Sequence, residues 1–380
     1  MKICYISNSA APSRNASSLQ TAKLCESLSL LGHQVTLILP NTGISKVNYF
    51  KFYNIKSKFK ITKLKYFNKF PKGINYYLYT FFSLINSKFK TQNLFITRNF
   101  FTSFVLCFFK KKHILEIHDD LTIEGRVMKF LIKNFDILNN KSIIKIITTT
   151  YTLKLRYQKK YKVDKDKILV LHNASSLIAR FKNYSKIKKR LNIGYFGSLY
   201  KSRGLDIIIK ISKLDKDNNY VIYGGDNILV NYLNEKYNYD NLRFNQYIPY
   251  SKVNKILNTI DICILPYTKK ITVSGNIGDI SKYTSPLKIF DYMITGKLII
   301  CSNLKVIKEV LKNNYNSILI DDFLNINSWV MTINYIKKNN KKFNKLRLNA
   351  YNFANKFNSK WRAKSLISSI SKNYSQDILD

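Results

Sequence analysis

The residues best placed to do chemistry sit in two short stretches. In YTSPLKIFDYMITGKLIICSN (residues 283–303) an apolar helix opens at Ser285-Pro286, carries Lys288 and Asp291 three residues apart, and stops at Gly296 before an apolar strand. Proline lacks the amide that would be orphaned at a first helical position, so Ser285 is expected to cap the helix with Pro286 as its first residue and Leu287 next. The position where a capping-box glutamate would close that end holds Lys288. Free amides, the macrodipole and a cation would then face any phosphate. Asp291 lies about 4.5 Å further along the same face at 1.5 Å per residue, so one nucleotide could set phosphate at the helix start and a ribose hydroxyl at the carboxylate. A surface ion pair between Lys288 and Asp291 explains the same spacing.

The second stretch, GYFGSLYKSRGLD (residues 194–206), reads as a strand ending at Gly197, a loop with Lys201 and Arg203, and Gly204 opening the next helix. A planar guanidinium there can grip a diphosphate from the sheet edge. The loop is neither a Walker sequence nor GxGxxG, so its meaning depends on its company. His118 in EIHDD stands at a strand end, where a lone histidine is commonly a hydrogen-bonded structural residue. Asp119 and Asp120 follow it, but neighbours on one strand point to opposite faces, which excludes a carboxylate pair. No D-x-D triplet or His/Asp cluster has ligand spacing, so no metal is expected. The five cysteines lie singly in apolar segments, which suits a reducing, cytoplasmic setting.

The elements that must position these residues alternate between short apolar strands and amphipathic helices, the pattern of α/β sheets with parallel strands. KICYIS, a helix over 17–31 closed by Gly32, QVTLILP, NLFITR, HILEIH, IIKIITTT and KILVLHN form one series. After a charged, poorly patterned linker at 180–190, a second series runs through LNIGYFGSL, a helix near 205–213, YVIYGG, LRFNQYIP, a helix from Ser251, ICILPY and KLIICSN. Two doubly wound, Rossmann-like domains in tandem are expected, with ligands at the carboxyl ends of the strands, in the cleft between the domains.

Composition sets bounds. A chain of 380 residues with 46% hydrophobic content is long enough for two domains and too apolar for wholesale disorder. No secretory leader is read at the N-terminus, and the longest apolar run, NFFTSFVLCFF (residues 99–109), is about half a bilayer span. The net charge of +42 comes mostly from lysine spread through every segment, without a stripe or an RNA- or DNA-binding motif, so no nucleic acid is expected. From residue 49 to 90 aromatics interleave with lysines. Either an anionic membrane surface or buried rings with lysines on the outer face explains that stretch.

The order GHQVTLILP, LEIHDD, IGYFGSLYKSRGLD, YVIYGGD, LRFNQYIPYSKVNKILNTIDICILPY, SPLKIFDYMITGKLIICSN and NNYNSILI resembles glycosyltransferase family 4. The resemblance implies the GT-B fold, with an acceptor-binding domain over 1–180, a nucleotide-sugar-binding domain over 190–350, and a helix over 351–380, including FNSKW, that crosses back to the first domain. It implies a retaining enzyme. Asp291 takes the place of the second glutamate of the family's E-x7-E motif, which holds the ribose, while the first glutamate's place, eight residues earlier, is Tyr283. Arg203 before Gly204 matches the basic residue that neutralises the diphosphate. The arginine usual after the first glycine is replaced by Ser198, so Lys201 or Lys288 would supply the second positive charge. The resemblance places His118 at the active cleft, and Asn15, Ala16 and Ser17, ahead of the first helix, where the family's Gly-Gly pair meets the acceptor.

The expected function is therefore a metal-independent hexosyltransferase needing no cofactor, with a nucleotide-diphosphate sugar as donor and a saccharide or lipid-linked acceptor in cell-surface polysaccharide or glycolipid synthesis. Its expected setting is cytoplasmic, with peripheral contact at an anionic membrane. Catalysis would fall to His118, Arg203 and Lys288, with Ser198, Lys201, Gly204, Ser285, Pro286, Leu287 and Asp291 around the donor. A nucleotide-sugar epimerase of the same fold, or a non-catalytic protein binding nucleotide sugars or polyanions, are the alternatives.

Overall fold

The computed structural model describes residues 1–41, 48–65, 72–87, 91–121, 125–183, 189–272 and 278–374. Parts of the expected linker (184–188), of the aromatic and basic stretch (66–71 and 88–90) and of the final segment (375–380) lie outside the described residues. The chain divides into two compact units, Met1–His172 with Ser359–Asp380, and Asn173–Asn358.

In the first unit β1 (Lys2–Ile6), α1 (Ala16–Leu30), β2 (Gln34–Asn41), α2 (Tyr49–Phe52), β3 (Lys60–Lys65), α3 (Lys72–Asn86), β4 (Leu94–Thr97), α4 (Phe100–Phe108), β5 (His113–Ile117), α5 (Arg126–Asn134), β6 (Ile143–Thr148), α6 (Tyr151–Tyr161) and β7 (Ile168–Val170) follow one another. The strands pair in parallel in the order β3-β2-β1-β4-β5-β6-β7. Helices on both faces explain why β4 and β5 are buried end to end and read as continuous apolar runs. The run at 99–109 is α4, whose first amides, of Phe101 and Thr102, donate to Asn99 Oδ1. The strand β3 was not legible in the sequence. It lies at the sheet edge, where exposed Lys60 and Lys63 discourage pairing with another chain. Tyr49, Tyr53 and Phe59 are buried in the core, so at these positions the rings are packing residues and Lys58 faces solvent.

The second unit contains β8 (Asn192–Phe196), α7 (Leu205–Leu214), β9 (Asn219–Gly225), α8 (Asn227–Lys236), β10 (Leu242–Gln246), α9 (Tyr250–Leu257), β11 (Ile262–Leu265), α10 (Leu287–Ile294), β12 (Leu298–Ser302), β13 (Ile318–Ile320), α11 (Ile326–Lys338) and α12 (Asn344–Lys356). Its parallel sheet has the order β10-β9-β8-β11-β12-β13. In both sheets the order reverses once, between β1 and β4 and between β8 and β11, which is the doubly wound Rossmann pattern.

The last helix, α13 (Ser359–Tyr374), belongs to the first unit. It sets Ala363, Leu366 and Ile370 into one core with Leu24, Cys25 and Leu28 of α1. Arg362 on α13 donates to Glu116 Oε1 of β5 at 2.9 Å, a nearly buried ion pair that fixes the helix in register on the sheet.

Candidate active site

The switch point of the second sheet, where β8 and β11 part, gathers the chemistry expected from the sequence. Beyond β8 the chain turns at Gly197 with φ +146°, and a Cβ there would lie 2.0 Å from Lys288 Nζ. The ammonium is thus seated over the strand end in space that only glycine leaves open. Lys288 Nζ also lies 4.1 Å from the Tyr195 ring centroid and 5.8 Å from that of Tyr267. Arg203 shares the Tyr267 ring at 5.5 Å and donates from Nη2 to Thr272 O at 2.9 Å. Burial, then the neighbouring Arg203 guanidinium, pushes the Lys288 ammonium well below the usual lysine range. Among the described residues neither cation is in an ion pair, so two positive groups meet at the strand ends without a counter-charge.

Gly204 makes this loop possible. Its φ is +81°, and a Cβ would lie 1.8 Å from Pro266 O, so the loop after β8 presses directly on the backbone after β11. Lys201 and Ser198 are exposed beside it, and Ser198 O accepts from Tyr195 OH at 3.0 Å.

The helix start departs from expectation by one residue. Pro286, extended at φ −68° and ψ 120°, is the cap of α10, with no side-chain hydrogen bond, and Leu287 is the first helical residue. Ser285 is not the cap; its carbonyl accepts from Asn173 Nδ2 at 2.5 Å. The stop at Gly296 (φ +63°) is a Schellman turn, Gly296 N donating to Met293 O and Lys297 N to Tyr292 O.

Asp291 is buried, which removes the surface ion pair with Lys288 as a reading. Ser175 Oγ donates to its Oδ1 at 2.5 Å and Tyr250 OH to the same atom at 3.1 Å. Among the described residues Oδ2 takes no partner. Burial raises the carboxyl to about 7 against those two hydrogen bonds. Tyr283, where the resemblance puts a glutamate, is buried.

Residues 178–353 match the family model described as glycosyl transferases group 1. This segment is a group 1 glycosyltransferase domain. No curated protein matches the sequence of the chain. Sucrose-phosphate synthase from Thermosynechococcus elongatus is similar in structure with a TM-score of 0.75, covering 99% of this chain and 100% of that one at 13% identity. HepE of Anabaena, in complex with UDP and glucose, gives 0.71 over 98% of this chain and 99% of that one at 11% identity. The lipopolysaccharide outer core galactosyltransferase WaaB, in its apo form, gives 0.66 over 98% and 100% at 10% identity. These likenesses are likenesses of fold, and the fold is GT-B.

In the first unit His118 follows β5 and is half-buried. Burial, then the charges of Arg98 and Arg362, hold its imidazole well below the usual histidine range, so it is neutral at pH 7. Glu116, two residues earlier, is kept ionised despite burial by Arg362 and Arg98, and Tyr5 OH donates to its Oε2 at 2.9 Å. Asp119 is exposed, whereas buried Asp120 meets Arg156 and accepts from Tyr161 OH, so the two carboxylates do not act together. Asn15 is the residue before α1, but Ala16 and Ser17 are its first turn and not a loop ahead of it.

Sequence reasoning missed Ser175, Tyr250, Tyr195 and Tyr267, which shape the charge of Asp291 and Lys288. A hydroxyl gives no signal until topology places it.

Proposed function

We propose that this glycosyltransferase binds a nucleotide-diphosphate sugar in its second unit and transfers the sugar, with retention of anomeric configuration, to a saccharide or lipid-linked acceptor. The observation that carries the reading is the pair of unpaired cations, Lys288 and Arg203, over Gly197 and Tyr267, with Asp291 one helical turn deeper. A diphosphate between the two cations would compensate the burial and the repulsion from Arg203 that depress Lys288, and the ribose hydroxyls would donate to Asp291. As the sugar–phosphate bond breaks, charge builds on the leaving diphosphate, where preorganised cations act most strongly. The ammonium and guanidinium supply what a divalent cation would otherwise supply. Neutral His118 stands ready at the carboxyl edge of the first sheet to orient an acceptor hydroxyl, with Asn15 at the loop after β1.

A UDP-bound neighbour of the same fold supports a uridine nucleotide as the first donor to try, and a lipopolysaccharide-modifying neighbour supports a cell-surface acceptor. Donor turnover measured with and without acceptor tests the reading. Sugar release into product that needs the acceptor is the expected result. Conversion of the donor to an isomeric nucleotide sugar without acceptor would replace transfer by epimerisation.

A further inference from the structure

A cavity of about 430 Å³ opens in the first unit between α5 and the end of α6. Three exposed lysines, Lys129, Lys160 and Lys162, are among its lining residues against one acid, Asp136. Beside Tyr161 its remaining lining is aliphatic, with Ile132 among it. Behind it, the one nearby buried acid, Asp120, is already taken by Arg156 and Tyr161. Among the described residues these lysines are in no ion pair, and burial, then the charges of Arg156 and Lys129, lowers the Lys160 ammonium. A ligand that fits must bring negative charge and an apolar body.

The rim says which ligand. Val127 and Phe130, one turn apart on α5, are 56% and 62% exposed, on the helix that carries Lys129 and Ile132 into the cavity wall. Phe135, just past α5, is 60% exposed and packs its edge on Phe104 of α4, whose last turn exposes Phe108. Exposed rings and aliphatics beside clustered lysines are what a helix needs to lie at a headgroup boundary.

We propose that the α5–α6 cavity receives the phosphate headgroup of an anionic membrane lipid while Val127 and Phe130 enter the acyl boundary. The membrane-facing surface is then α5 and its flank, not the lysine-rich segment leading into β3, where Tyr49, Tyr53 and Phe59 are core. The proposal extends the lipid-linked-acceptor reading above. Vesicle binding is measured without donor or turnover, so either can fail alone.

The test is co-sedimentation of the full chain with phosphatidylcholine vesicles with and without phosphatidylglycerol. Binding to the anionic vesicles is expected to fall as the Debye length shortens from about 30 Å to about 8 Å, and neutral vesicles should bind little. The triple variant Lys129→Gln, Lys160→Gln, Lys162→Gln should weaken anionic-vesicle binding by about tenfold or more. A charge-matched control in the second unit, Lys210→Gln, Lys213→Gln, Lys345→Gln, should change it little. Val127→Ser with Phe130→Ser should weaken it with all charges kept, and each variant should keep the circular dichroism spectrum and cooperative melting of the wild type as proof of folding. Lys129→Gln alone serves if the triple variant does not fold. Equal losses in the two triple variants would mean diffuse charge and overturn the proposal. So would full competition by inorganic phosphate at constant ionic strength, which would make the cavity a free-phosphate site, or preference for single-stranded RNA over the vesicles.

Discussion

Asp291 and Lys288 are one turn apart on α10 and are perturbed in opposite directions by the same cause, removal from water. A buried carboxyl with a pKa of about 7 is half-protonated at neutral pH, and its ionised form is the stronger acceptor for ribose hydroxyls. Donor binding should therefore release a proton, and affinity for a nucleotide sugar should rise with pH through about 7. Lys288 works in the other direction, since a diphosphate favours the ammonium, so affinity should fall again below the usual lysine range. Isothermal titration across pH should give a bell, with Asp291→Asn removing the rising limb and Lys288→Met the falling one. A flat profile would remove both residues from the donor. The same carboxyl affects folding. Held more protonated in the folded chain than in the unfolded one, Asp291 makes stability decline as pH climbs from about 4 through about 7. Types and spacing made Lys288, Asp291 and Arg203 legible in the sequence. Ser175 and Tyr250 were not, because they lie 116 and 41 residues from Asp291 and reach it only through the parallel crossover topology.

Secondary elements position these groups through close backbone contacts. Gly197→Ala would place a methyl where the Lys288 ammonium sits, at a φ unfavourable for alanine. Because the obstructing atom ends a flexible side chain, the fold should survive while Lys288 is displaced. Donor affinity should drop by about as much as in Lys288→Met, with a modest loss of melting temperature, and an unchanged affinity would contradict the seat proposed for the ammonium. The Arg362–Glu116 pair gives a second test. Removing one partner of a buried ion pair strands the other charge, so Arg362→Ala should cost about 3 to 5 kcal/mol in urea unfolding and speed amide exchange along α13. Most strands were readable as short apolar runs. The edge strand β3 was hidden because its alternating lysines serve solubility and resemble a surface segment. The cap of α10 moved by one residue because Pro286 is extended and its carbonyl accepts from Ile289 N at 3.1 Å, so the helix begins after it.

At the scale of the whole chain, two sheets share one winding order, and the C-terminal helix groups with the first unit. Charge is the property that the sequence left most ambiguous. Different lysines solvate an edge, meet Arg203 at the β8–β11 switch point and line a cavity, and composition does not separate these places. If Arg203 and Lys288 carry the leaving-group charge, turnover should persist in EDTA, and a loss restored by Mg²⁺ or Mn²⁺ would assign that work to a metal. The central claim is that the β8–β11 switch point holds a nucleotide-diphosphate sugar by Lys288 and Asp291. Calorimetric titration of UDP-, GDP- and ADP-glucose into the wild type, Lys288→Met and Asp291→Ala tests it most directly. One nucleotide should bind at a single site, and each substitution should weaken it by about 1 to 3 kcal/mol with the fold intact. Binding of none of the three, or equal affinity in all three proteins, would contradict it.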